Sequence, residues 1–151
     1  MTATASPRPR SRAVAAWLAV VAGTLGVHRL YLYGPRDVLA WLHIPPTLVG
    51  AYGWWRMREF GVDDTRGSLL VLCLGAVVAL AMLQAIVYGL TSDERWVARF
   101  GAASDHRRGW PVVLAMMLAL AVGAGATMAT VAFAAQRYFE SRTAVSRRPR
   151  S

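Results

Sequence analysis

Lysine is absent from these 151 residues, and acidic side chains number only eight. All 17 basic side chains are therefore arginine, and the formal net charge is +9. The single cysteine, Cys73, excludes an intramolecular disulfide. Charged residues make up only 17% of the chain against 56% hydrophobic, so the composition of a disordered protein is missing too. Also missing is the short alternating or 3.6-spaced patterning of a soluble core. The apolar residues come in long blocks, which argues against a soluble globule and for burial in lipid.

Four such blocks are present. Ala13 to Val27 continues past His28 and Arg29 to Tyr33, 21 residues in all. As one helix rising about 1.5 Å per residue it would be long enough for a hydrocarbon core of roughly 30 Å. Val38 to Trp55 is interrupted by His43 and by Pro45-Pro46, which predicts a short segment to Ile44 and a second helix starting at the prolines. Ser68 to Leu90 carries no ionisable group other than Cys73 and Tyr88. Trp110 to Ala135 opens on Trp-Pro and ends on an aromatic and basic anchor, Gln136 to Phe139.

The expected fold class is thus all-α: an integral membrane protein with four transmembrane helices. Four crossings place both termini on one side. Eleven arginines then flank that side and six the other, so the positive-inside bias predicts cytoplasmic termini. A cleaved signal peptide fits less well, because no small-x-small pair precedes a polar start. Residues 1–11 and 143–151 read as disordered basic tails. Their arginines are predicted to meet anionic lipid headgroups, at roughly 1 kcal/mol each, in preference to nucleic acid.

The stretch Gly23-Thr24-Leu25-Gly26-Val27-His28-Arg29-Leu30-Tyr31-Leu32, with the second apolar segment ending near Asp63-Asp64, resembles the two-transmembrane (TM-two, or NINE) domain family. The similarity covers residues 12–64. It departs at Leu30, where the family usually has Phe, and at Tyr33, where the family has a Gly that here is displaced to Gly34. The resemblance implies a helical hairpin over 12–64, a bacterial cytoplasmic membrane location and a second helical pair over 65–142, and it supplies no substrate or reaction.

His28 and Arg29 stand inside an apolar run, where ionisable residues are functional candidates by default. Helical spacing puts His28 on a face with Tyr31 and Leu32, and Arg29 on a face with Tyr33. Arg29 is predicted to snorkel, to stack on Tyr33, and to pair with Asp93 or Glu94 across the bundle. The segment Thr91 to Phe100 reads as a capped amphipathic helix with Trp96 and Phe100 dipping into the lipid interface. Asp63-Asp64 reads as a solvated turn and helix cap. Small residues recur every four positions, at Ala15, Ala19, Gly23 and Gly75, Ala79, and in two rows of the last run, Ala115, Ala119, Gly123, Thr127 and Ala121, Gly125, Ala129. Such rows let backbones approach, within one chain or against a second copy.

No nucleophile and base, metal-ligand spacing or cofactor motif is visible, and Cys73 has no basic neighbour in sequence. The expectation is a non-enzymatic structural or interaction module without cofactor, partnered by the bilayer and by a second copy or another membrane protein. The alternative is a small transporter or channel component, oligomeric, with Gln84 and the Pro45-Pro46 break lining its path.

Overall fold

The computed structural model describes residues 9–101 and 109–146, with the side chains of 144–146 excepted. Every element among them is helical. In chain order they are α1 (Arg12–Ala22), a 3-10 turn (Gly23–Leu25), α2 (Val27–Tyr33), α3 (Val38–Leu42), α4 (Ile44–Phe60), α5 (Thr65–Leu90), α6 (Asp93–Phe100) and α7 (Trp110–Ser146). Two of these, α5 and α7, are long and apolar enough to cross a membrane.

The first apolar run is not one helix, which corrects the 21-residue reading. Gly26 adopts φ +72°, a left-handed conformation that L side chains rarely enter, and it ends the 3-10 turn by donating to the Gly23 carbonyl at 3.0 Å. A Cβ at Gly26 would also collide with the Ala40 carbonyl oxygen. Both features demand glycine, and together they fold α2 back along α1. The return is visible in the contacts. The backbone N–H of Ser11 donates to the Tyr31 hydroxyl at 3.1 Å, and the Arg10 guanidinium donates to the Tyr31 carbonyl.

Packing against α5 sets the register of everything else. Arg12, at the start of α1, pairs with Asp93, just beyond the end of α5. The turn at Gly23 lies near the middle of α5, where an added methyl would stand 2.7 Å from Ala81 Cβ. Helix α4 runs antiparallel to α5, so closely that a methyl on Gly53 would come within 2.6 Å of Leu70 Cβ. Helix α7 is antiparallel to α5 as well, with Gly89 against Met116, Gly123 against Met82 and Gly75 against Thr130. One end of the bundle therefore holds residues 9–12, the α2–α3 turn, α6 and the start of α7. The other holds the α4–α5 turn and the last turns of α7.

The break at Pro45-Pro46 is present. Helix α3 ends at Leu42, and both prolines sit in the first turn of α4, where a missing N–H costs no intrahelical bond. Asp64 caps α5 by accepting from Gly67 N–H at 2.9 Å. The buried core draws Ala15 and Ala19 from α1, Leu32 from α2, Ala81 and Ala85 from α5, Trp96 from α6 and Ala119 from α7. The segments 12–64 and 65–142 thus share one core. Of the two small-residue rows on α7, Ala115, Ala119 and Gly123 are buried, while Ala121, Gly125 and Ala129 are exposed.

The predicted tails need correction where they are described. Arg10 is fixed at both backbone atoms, its N–H donating to the Phe100 carbonyl at 3.3 Å and its carbonyl accepting from Trp96 Nε1 at 2.8 Å. At the other end α7 continues to Ser146. Residues 1–8 and 147–151 lie outside the described residues.

Candidate functional site

The fold-back places His28 in the interior with no exposed surface. Its Nε2 is bonded to Gln84 Oε1 of α5, an acceptor, which makes Nε2 the donor and leaves Nδ1 as a lone pair. Nδ1 is buried without a hydrogen-bond partner. Two further rings close around it. His43 stands edge-on with centroids 5.8 Å apart, and Tyr88 is tilted at 5.8 Å. The Tyr88 hydroxyl donates to the same Gln84 oxygen at 3.4 Å. Next to this cluster, the Thr47 hydroxyl reaches the carbonyls of Thr24, at 2.5 Å, and His43, at 2.8 Å. It thereby joins the tip of the α1–α2 turn to the first turn of α4.

Arg29 follows His28 in sequence but points away from it. Its Nε donates to Asp37 at 2.8 Å, and its guanidinium lies 5.0 Å from the Tyr33 ring centroid. The stacking on Tyr33 matches the helical spacing, whereas the pairing with Asp93 or Glu94 is overturned. Asp37 is eight residues away and already at hand as the N-cap of α3, accepting from Leu39 N–H at 3.3 Å. Arg29 holds the Asp37 carboxyl below the ordinary carboxylate value of 3.8. At the opposite end of the bundle Arg56 does the same to Asp64.

Asp93 is taken instead by Arg12, whose side chain is 6% exposed. The Arg12 guanidinium also lies 5.7 Å from the Trp96 ring centroid. Residues 10–12 thus form a strap tying Tyr31 of α2 to Trp96 and Asp93 of α6. Trp96 and Phe100 are buried under it, 3% and 8% exposed, so they do not dip into lipid as predicted. Glu94 stays exposed on the outer side of α6.

The structure therefore divides the predicted residues among three places. His28 belongs to the interior cluster, Tyr31 and Asp93 to the strap, and Arg29 to a local pair with Asp37. The sequence reading missed the contacts of Arg10, which it placed in a tail, and of Arg12 at the tail's edge, and it did not connect Gln84 to His28. An apolar helix in register with a polar residue on another carries no local signal of that contact. Gln84 Oε1 meets both His28 and Tyr88. Among the described residues no three metal-ligating side chains lie together.

Comparison with known proteins adds no relative: no family model, no curated protein and no solved structure matches the chain.

Proposed function

We propose that this chain is an integral membrane protein of a bacterial cytoplasmic membrane, acting as a non-enzymatic structural or interaction module. The TM-two resemblance of residues 12–64 supplies the location. The proposed crossings are α3 with α4, α5 and α7. Helix α1, at about 16 Å, reaches only about half of a 30 Å hydrocarbon core, so α1 and α2 form a re-entrant hairpin. Non-helical backbone at such depth is tolerated when protein buries it, and the 3-10 turn is packed against α5 and α3.

One observation carries the functional reading. Polar side chains of the interior link separate parts of the chain, His28 Nε2 to Gln84, Thr47 to the Thr24 carbonyl and Arg12 to Asp93, as in a packed scaffold. Three crossings put the two ends of the chain on opposite sides, in place of the shared side expected from four. Counted along the chain, nine arginines (8, 10, 12, 29, 36, 95, 99, 107 and 108) then flank one side and eight the other, so the arginine bias no longer chooses an orientation.

The test is labelling of single cysteines by a membrane-impermeant reagent in intact cells, in a Cys73→Ala background. Pro9→Cys and Arg36→Cys should label from one side, and Asp63→Cys and Ser141→Cys from the other. Labelling of positions 9 and 141 from the same side would restore four crossings and sink the re-entrant reading. Gln84→Cys should stay unlabelled; reaction with a water-soluble reagent there would put a small transporter or channel component in place of the scaffold.

A further inference from the structure

A cleft of about 480 Å³ opens where the last turn of α5 meets α6 and the end of α2. Its apolar wall is Val87 and Leu90, both more than half exposed on the outside of α5. Its polar wall is Arg95 and Arg99, one helical turn apart on α6, with Ser92 and the Tyr33 ring beside them. Four ion pairs exist among the described residues, and neither Arg95 nor Arg99 takes part in one. Arg99 lies 6.0 Å from the Tyr33 centroid, a ring already facing Arg29, and Ser92 at the N-cap spends its hydroxyl on no amide of α6. The nearest carboxylate on the strap side, Asp93, is drawn to Arg12. Among the described residues Glu94 is the one acid lining the cleft, so two positive charges face one negative there.

We propose that this cleft binds a single anionic glycerophospholipid. Arg95 and Arg99 take the phosphodiester as a fork of charge-assisted donors, Ser92 adds a hydroxyl donor, and an acyl chain lies along Val87 and Leu90. Glu94 accepts from hydroxyl groups of the headgroup and rejects a second phosphate charge. Trp96 and Phe100, buried under the strap, anchor the helix that carries both arginines. The proposal rests on the membrane reading above, since only a chain in a bilayer presents Leu90 to an acyl chain beside a headgroup.

The experiment is native mass spectrometry of the full-length chain, extracted in mild detergent from vesicles of phosphatidylcholine with phosphatidylglycerol. The wild type should retain one phosphatidylglycerol in preference to phosphatidylcholine. Arg95→Gln with Arg99→Gln should lower that retention about tenfold or more, and Lys at both positions, which returns the charge without the planar fork, should restore only part of it. The charge-matched pair Arg58→Gln with Arg66→Gln, at the opposite end of the bundle, should leave it unchanged. Should the double variant not fold, Arg95→Gln alone must still weaken retention, because Arg95 takes part in no ion pair among the described residues. Equal retention by wild type and variant overturns the site. Displacement of the lipid by inorganic phosphate alone overturns a lipid occupant in favour of a free anion. Equal retention alongside the expected cysteine labelling removes only this proposal, whereas recovery of the chain without detergent removes the membrane reading itself.

Discussion

Replacing Gln84 with Leu removes the acceptor that His28 Nε2 meets and leaves a second nitrogen of a fully buried ring without a partner. Stranding a buried donor costs about 1–3 kcal/mol, so Gln84→Leu should lower the melting temperature in detergent although it makes α5 more apolar. An unchanged or raised melting temperature would mean that the His28 cluster contributes nothing to the fold. At the strap, Asp93→Ala leaves the buried Arg12 guanidinium without its carboxylate, whereas Arg12→Met removes the charge and keeps an apolar stem against Trp96. The expected order of damage is Asp93→Ala above Arg12→Met, read as thermal shifts of the two variants, and the reverse order would refute it. Acid acts on Asp37 and Asp64. Their folded values lie below 3.8, so their contribution is complete above that value and fades as pH falls through it toward the folded values. A melting curve followed from neutral pH to below 3.8 should show this loss. Arg29→Gln should remove the Asp37 part of it, and an acid limb identical to wild type would show that the pair carries none.

At the scale of elements, the α1–α2 fold-back hangs on one glycine. Gly26→Ala meets both an unfavourable left-handed backbone and the Ala40 carbonyl, and is expected to abolish a folded, monodisperse peak in detergent gel filtration. Gly125→Ala is the control. It sits in α7 with nothing within 4 Å of an added methyl, and should fold as well as wild type. Normal folding of Gly26→Ala would show that the turn is not needed. The sequence made α5, α7 and the break at Pro45-Pro46 plain, because length, hydropathy and missing N–H groups are local properties. It hid the reversal at Gly26. A largely apolar run of 21 residues satisfies the length criterion for a span, and the glycines of Gly23-x-x-Gly26 read equally well as small residues for close packing. The strap was hidden for a different reason: Arg10 and Arg12 are flanked by Pro and Ser, which resembles a tail, and only the fold brings Tyr31 and Trp96 to them.

Across the whole molecule, four of the five predicted interaction residues end up serving three different contacts, two of them far apart in sequence, while Glu94 stays exposed. His28 meets α5, Tyr31 and Asp93 meet the strap, and Arg29 turns to its own loop. Such long-range pairing requires all the helices to be in place, so the strap and the His28 cluster should melt together. Fluorescence of a variant that keeps Trp96 under the strap and carries Phe at Trp17, Trp41, Trp54, Trp55 and Trp110, together with circular dichroism, should give coincident transitions; separate ones would mean that the α1–α2 hairpin detaches on its own.

The fold-back has a geometric effect on the membrane itself. At the end of the bundle that holds α6, five helical segments (α1, α2, α3, α5 and α7) lie side by side, but beyond the tip of the turn only α4, α5 and α7 remain. In a bilayer the protein would therefore displace more lipid area from one leaflet than from the other. Each copy is a wedge, and crowding of many copies in a patch would favour a membrane that bends away from the leaflet with the smaller cross-section.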